Sequence, residues 1–434
     1  MSDGLTRELA ASGNGRFSRP LVLWSWRAAG LAALALSATA LYWTVRYASA
    51  DWLYLAGNPR SMRQAIRLAP GNAEYYSGLA QADPENAIGI LEKAVALNPT
   101  NSALRVQLGM AAEAKGDFRK SEASLLEAIG MDTSFAPRWV LSDFYFHRGD
   151  AEKFWPVVKA ALAVSYGDVS AQFRNCWALS SDPQLILERA IPDRVEVLRQ
   201  YLGFLLNEGR AEAADAVAGK LLGRADQDSA GTLLSYDDRL LAAGRDREAL
   251  AVWNGLIQRK LVPYAPLAAG AAGVPVNGDF RLPGLEAGFD WRVSSPDGIY
   301  VDRAGNPPVL LLSFSGKQPE NAEILSQFVP LLPDRAYTLA VRYRVAGIAA
   351  ESGLMCSLVA GNGAANGKDL LSGQGLLAGG SESDIERKIP FRTPARTTLA
   401  RLVFGYHRML GTMRIEGSLT LQKFTLFLSP EEGQ

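Results

Sequence analysis

A 34-residue self-similarity constrains this 434-residue chain more than any other feature. In AIGILEKAVALNP, residues 87–99, the small and apolar positions are Ala87, Leu91, Ala94 and Pro99. Thirty-four residues later the same places hold Ser121, Leu125, Ala128 and Thr133, preceded by Leu108-Gly109 and Gly116-Asp117-Phe118. The inner spacing of four then three returns in Phe154, Val158, Ala161, in Ala214, Ala218, Leu221, and in Ala249, Trp253, Leu256. Gly149, Gly209 and Gly244 each stand five residues ahead of these sets. Small residues let two helices cross closely, and such a glycine ends the first helix in a left-handed cap. One helix pair cannot bury its apolar face alone, so the copies are expected to stack.

Over roughly residues 70–260 this pattern resembles the tetratricopeptide repeat, a pair of antiparallel helices, and residues 102–133 are its best copy. The first copy reads as having a shortened inter-helix turn, because Asp83-Pro84 follows Leu79 closely. Residues 165–194 are degenerate, although Asp182-Pro183 reads as an N-cap followed by proline at the first helical position. The resemblance implies a scaffold that holds a protein partner. Arg105, Gln107, Trp139, Asp143 and Arg199, on first helices of pairs, are its candidate groove residues. Trp139 also suits an aromatic packing position, and His147 falls at a turn between helices.

Ahead of the repeats, residues 28–45 carry no charge. Eighteen helical residues rise about 27 Å, close to a bilayer core of roughly 30 Å. Arg16, Arg19 and Arg27 precede the stretch and Arg46 ends it, with Trp24, Trp26, Tyr42, Trp43 and Tyr47 at its edges. These are the residue types of a membrane interface, so a retained single-pass anchor after an N-terminal tail, residues 1–27, is the preferred reading. Ala48-Ser49-Ala50 keeps a cleaved signal peptide as the alternative.

Composition removes several function classes. The 45 basic and 45 acidic residues balance, which argues against nucleic acid as a partner. Cys176 and Cys356 are too few for a disulfide framework, and two histidines leave little for metal sites or histidine-dependent catalysis. GNGAANGKDLLSGQGLLAGGS, residues 361–381, fails as a phosphate loop in spacing and reads as a long loop between strands. Glu320, Glu323, Glu382, Asp384 and Glu386 read as solvated surface, not as facing catalytic carboxylates. No catalytic residue, metal or cofactor is assigned.

The prolines of residues 261–275 mark a linker, after which the period changes from 3.6 to 2. YTLAVRYRV, 337–345, and LARLVFGY, 399–406, alternate, and SLTLQKFTLFLS, 418–429, changes phase at Gln422-Lys423, predicting a bulge. Shorter candidates at 289–293, 298–302, 309–314, 325–331, 354–360 and 386–392 bring the expected number of strands to eight or nine, a β-sandwich or barrel. Asn277-Gly278-Asp279-Phe280 with Trp291 downstream resembles the entry to a jelly-roll carbohydrate-binding module of the galactose-binding-like type, over residues 276–430. That resemblance implies an entry segment beside the last strand and sugar contacts from aromatic and polar side chains. Tyr406, His407 and Arg408 are the candidates, with Trp291, whose face is shared with Val293 and therefore reads first as core. Asp279 is a candidate calcium ligand with no second carboxylate cluster to support it.

The fold class expected is therefore a transmembrane helix, a tetratricopeptide solenoid over 58–260, and an antiparallel jelly-roll sandwich. The function expected is a non-enzymatic scaffold in the bacterial inner membrane, its bulk extracytoplasmic. It would bind a protein partner through the repeats and a polysaccharide through the sandwich, in envelope or exopolysaccharide work. A purely protein-binding assembly factor and a polysaccharide-active enzyme are the alternatives.

Overall fold

In a computed structural model of the chain, residues 19–271, 274–348, 353–361, 369–375 and 383–429 are described. Their helical text forms α1 (Arg19–Leu55), α2 (Pro59–Leu68), α3 (Ala73–Ala82), α4 (Ala87–Leu97), α5 (Ser102–Ala114), α6 (Phe118–Met131), α7 (Phe135–Arg148) and α8 (Ala151–Ala163). There follow α9 (Ser170–Leu179), α10 (Pro183–Arg189), α11 (Val195–Asn207), α12 (Ala211–Leu222), α13 (Ala230–Ala242) and α14 (Asp246–Gln258). The chain separates into two compact units, Met1–Ser165 and Tyr166–Gln434.

The best repeat shows why these residues form hairpins. Asn101 starts α5 by accepting hydrogen bonds from the amides of Ala103 (3.0 Å) and Leu104 (3.4 Å). Gly116 stops it in a left-handed conformation (φ +79°), as do Gly149, Gly209 and Gly244 in other copies. Asp117 then caps α6 through the amide of Lys120. A Cβ on Gly109 would lie 2.6 Å from Cγ of Leu125, so a residue without a side chain is required at this crossing. Asp182 caps α10 with Pro183 in the first turn, as expected.

Two repeat features differ from the sequence reading. The turn between α3 and α4 is of ordinary length, residues 83–86; the helix is what is short, ten residues in α3 against thirteen in α5. Moreover, α1 continues well beyond residue 45, and its last turns form a hairpin with α2. Ala50 is fully buried, the Tyr54 ring packs at a tilt against Tyr75 (centroids 5.1 Å), and Arg46 Nε donates to the Leu68 carbonyl at 2.6 Å. Tyr75 donates its hydroxyl to Asp51. The upstream leucines are open, Leu31 at 72% and Leu36 at 72% exposure.

In the second unit, β1 (Arg292–Val293), β4 (Asn321–Pro330), β9 (Leu399–His407), β6 (Leu354–Ala360) and β7 (Asp369–Gly375) make one antiparallel sheet, in that order. The other runs β2 (Ile299–Ala304), β3 (Val309–Ser315), β10 (Glu416–Leu428), β5 (Ala336–Ala346), β8 (Ile385–Arg392). Consecutive strands β3 to β6 change sheet at each step, so the two sheets wrap one core in the jelly-roll manner. Ring contacts of Phe424 on β10 with Phe404 on β9 (6.4 Å) and with Trp291 (5.0 Å) join the sheets. Register shifts between Leu421 and Lys423, the bulge expected from the phase change.

The count of strands among the described residues is ten, because Asp369–Gly375, expected as loop, pairs with β6. Its glycine-rich text hid the alternation; residues 362–368 and 376–382 of that stretch lie outside the described residues. The entry segment runs beside β10, with the Phe424 amide donating to the Gly278 carbonyl (2.7 Å) and that of Leu426 to Val274 (3.0 Å). Asn277 closes a loop on itself, its side chain exchanging two hydrogen bonds with Leu282 while its carbonyl receives the Trp291 indole.

The Gly109–Leu125 crossing generates the first prediction. Gly109→Val should lower stability by about 1–3 kcal/mol, the usual cost of overpacking. Urea unfolding of the full chain followed by circular dichroism measures this, and an unchanged midpoint would show that the crossing relaxes.

Candidate interaction site

The first helices of the repeats position the groove candidates differently. Arg105 is tied to its own hairpin, bonding Glu127 at 2.5 Å and the Pro99 carbonyl at 2.9 Å. Trp139 is half-buried edge-on to Phe135, and Asp143 is half-buried on α7. In the second unit Arg199 pairs with Glu196 at 2.7 Å. His147, exposed at the end of α7, meets Glu113 at 2.9 Å.

Gln107 alone of the candidates in the first unit lines a cleft of about 850 Å³, which α1, α3, α5 and the loops before α3 and α5 enclose. Its walls include Trp43, Arg46, Tyr47, Glu74, Asn101 and Gln107. Ser77 donates to Oε1 of Gln107 at 2.6 Å. Arg46 lies over the Trp43 ring, 4.9 Å from its centroid, and Trp43 stacks near Tyr47 at 5.7 Å. The sequence marked Trp43 and Tyr47 as membrane-edge residues; nothing in the repeat pattern signalled that they also wall a cleft.

On the sandwich, Tyr406 is 2% exposed and its hydroxyl is buried with no hydrogen-bond partner. The alternation that identifies β9 carries Leu402, Phe404 and Tyr406 to the same inward face, so this ring offers no surface to a ligand. Trp291 is likewise 2% exposed, sealed between Phe280 and Phe424. His407 and Arg408 do reach the edge: the histidine ring bonds Asn321, and Arg408 pairs with Glu320 at 2.7 Å. Asp279 pairs with Arg281 at 3.1 Å, and among the described residues no three histidine, cysteine or acidic side chains gather as a metal site.

Each described carboxylate of the candidate list meets an arginine: Glu320 with Arg408, Glu323 with Arg401, Asp384 with Arg344 (2.8 Å), Glu386 with Arg342 (3.1 Å). Hydrogen bonds from Gln422 and Arg344 hold the Asp384 carboxyl below its ordinary value, the reverse of what a general acid needs. Glu382 lies outside the described residues. Both cysteines are buried, and burial pushes the Cys176 thiol up to about 12.

A polar junction that the sequence did not reveal joins α13 and α14 to the sandwich entry. Asp238 accepts from the Gly288 amide at 2.8 Å and pairs with Arg292, whose guanidinium lies over Phe328. Beside it Asp237 is fully buried, neither carboxyl oxygen having a hydrogen-bond partner. Trp253 stacks on Tyr264 (5.6 Å) and meets Phe289 edge-on (5.9 Å). Asp290 accepts from the Tyr264 hydroxyl (2.7 Å) and the Leu285 amide (2.6 Å). Leu267 and Asn254 exchange two further hydrogen bonds, so residues 261–271 are fastened to α14 although they form no helix or strand.

Burial drives the Asp237 carboxyl well above its ordinary value, reinforced by Asp238 and opposed by Arg292. A raised folded-state value means that the native state binds this proton more tightly than the unfolded one. The associated stability is present at acid pH and is lost as pH rises through the folded-state value. Asp237→Asn should therefore raise the urea midpoint at neutral pH, by an amount that grows as pH rises above the ordinary carboxylate range. A pH-independent difference between the two proteins would contradict this assignment. The neighbouring pair is testable by a double-mutant cycle: Asp238→Ala and Arg292→Ala should couple by about 0.5–3 kcal/mol, and additive losses would exclude a working ion pair.

Among families of known proteins, the tetratricopeptide repeat matches residues 78–140. No curated protein matches the chain. Among solved structures, one described as "CBM4 structure and function" is 9% identical, covering 36% of this chain and 99% of that one, with a TM-score of 0.28. A MamA D159K mutant is 22% identical, covering 25% of this chain and 66% of its own, with a TM-score of 0.22. YrrB, described as a TPR protein with an unusual peptide-binding site, is 14% identical, covering 45% and 91%, with a TM-score of 0.24. Residues 78–140 and the helical hairpins they form identify the repeat. The chain thus contains tetratricopeptide repeats, architecture of protein–protein scaffolds, followed by a C-terminal antiparallel β-sandwich.

Proposed function

We propose that this protein is a non-enzymatic scaffold anchored in a bacterial inner membrane, its repeats holding a protein partner and its sandwich contacting an envelope or exported polysaccharide. The observation that carries the reading is α1. Its segment Ala28–Leu55 is apolar enough to cross a bilayer (mean hydropathy 1.5) and its most apolar 18 residues are uncovered, while its last turns are packed into the first hairpin. Lipid is the environment that such a helix suits at one end, and α2 and α3 supply the other. Cleavage after Ala50 would sever Arg46 from Leu68 and cut a continuous helix at a fully buried residue, which favours an anchor over a signal peptide. Arg16, Arg19 and Arg27 ahead of the span favour the repeats on the extracytoplasmic side.

For the polysaccharide, the edge formed by His407, Asn321, Arg408 and Glu320 supplies the donors and acceptors that hydroxyl groups require. Trp291 and Tyr406, being core, have no part in it.

The anchor is tested by alkaline carbonate extraction of membranes: the full chain should remain in the pellet, and a chain lacking residues 28–45 should be released. Recovery of the full chain in the supernatant would end the anchor reading. Calorimetry of the full chain against exported polysaccharides should give binding that His407→Ala with Arg408→Ala weakens about tenfold. Unchanged affinity would clear this edge, and no binding to any of them would leave the protein-binding assembly factor.

A further inference from the structure

The cleft in the first unit begins where the apolar span ends. Trp43 lies in the last turn of residues 28–45 and Arg46 and Tyr47 follow directly on them, and both rings remain open, at 42% and 50% exposure. An occupant that fills the cleft meets these rings, and on the anchored reading, on which this inference rests, it is held at the bilayer surface, where such rings sit. We propose that the cleft receives an extended, uncharged segment of a second membrane protein at the point where that segment leaves the bilayer.

The polar groups of the walls favour polypeptide over lipid phosphate or acidic ligands. Glu74 and Arg46 balance in charge, and Arg46 is already committed to the Leu68 carbonyl and the Trp43 ring, so no cationic cluster is offered to an anion. Ser77 occupies the side-chain oxygen of Gln107, and the start of α5 occupies that of Asn101, which leaves the NH₂ of each as a donor. Glu74 adds an acceptor. Donors and acceptors side by side are what an extended backbone needs, since each residue brings one of each. Leu97, 43% exposed, and the two rings give apolar contact for alternate side chains. A volume of about 850 Å³ lies in the range of small-ligand and short-peptide sites.

The test replaces Tyr47, and separately Gln107, by photoreactive benzoylphenylalanine in the full chain in its native membranes. Both positions should yield adducts, and mass spectrometry should map the captured residue to within about 15–20 residues of a transmembrane segment of another protein. Gln107→Glu, which removes the NH₂ and adds charge at constant volume, should lower the Tyr47 adduct yield about tenfold. Adducts to phospholipid alone, adducts mapping only to soluble proteins, or no adduct at either position would overturn the proposal. Carbonate extraction of the same membranes separates the two failures. A chain that stays in the pellet without a juxtamembrane adduct overturns the occupant alone, and a chain in the supernatant overturns the anchor and this inference with it.

Discussion

Each helical hairpin in this chain has one apolar face that its own two helices cannot cover, and burial of that face by the next element is the constraint on which the architecture rests. An array obeying it needs something at each end that is not another repeat. In the first unit that element is the C-terminal portion of α1, whose Ala50 and Tyr54 close the hairpin side with α2 and α3. In the second unit it is the sandwich entry, whose Phe289 and Tyr264 lie on Trp253 of α14. The two ends are thus closed by segments with other tasks, which explains why the repeats carry no separate polar capping helix among the described residues.

Closing the second end brought a carboxylic acid into the interior. Asp237 lies beneath Gly288, where a Cβ would come within 2.8 Å of its Oδ2 and 2.6 Å of the Trp253 ring, so backbone and indole shut out water. Its neighbour Asp238 has the opposite fate, fully engaged by an amide and a guanidinium. Two adjacent acids on one helix therefore differ sharply in chemistry because one points along the junction and the other into it. An unpaired buried acid is a local conflict of the kind stable folds avoid, and the aromatic packing around it offsets its cost.

Much of this was legible in the residues. The helix pairs, their glycine caps and the bulge in β10 follow from local rules that need no tertiary context. The end of the array was also written, though less visibly: the inner repeat position reads Leu91, Leu125, Val158, Ala218 and then Trp253, and the outsized last residue is the one that meets the sandwich. Tyr406 was misplaced because its neighbours His407 and Arg408 are polar, while the strand period that decides its direction runs one residue further than the polar text suggests. β7 was missed because three glycine-rich runs mask pairing that only the partner strand β6 specifies. The cleft was invisible because its walls come from a span residue set and a repeat residue set that the sequence presents as unrelated.

A last consequence concerns α1. It is helical without interruption over 37 residues, through the span and into the packed hairpin. No swivel separates the apolar stretch of α1 from the first hairpin, so the helix acts as a keyed shaft. Each residue added or removed between Trp43 and Arg46 would turn the span by about 100° relative to the hairpin and shift it by about 1.5 Å. The azimuth of the apolar stretch relative to the hairpin is therefore fixed by residue count, and length here is under a constraint that side-chain identity does not reveal.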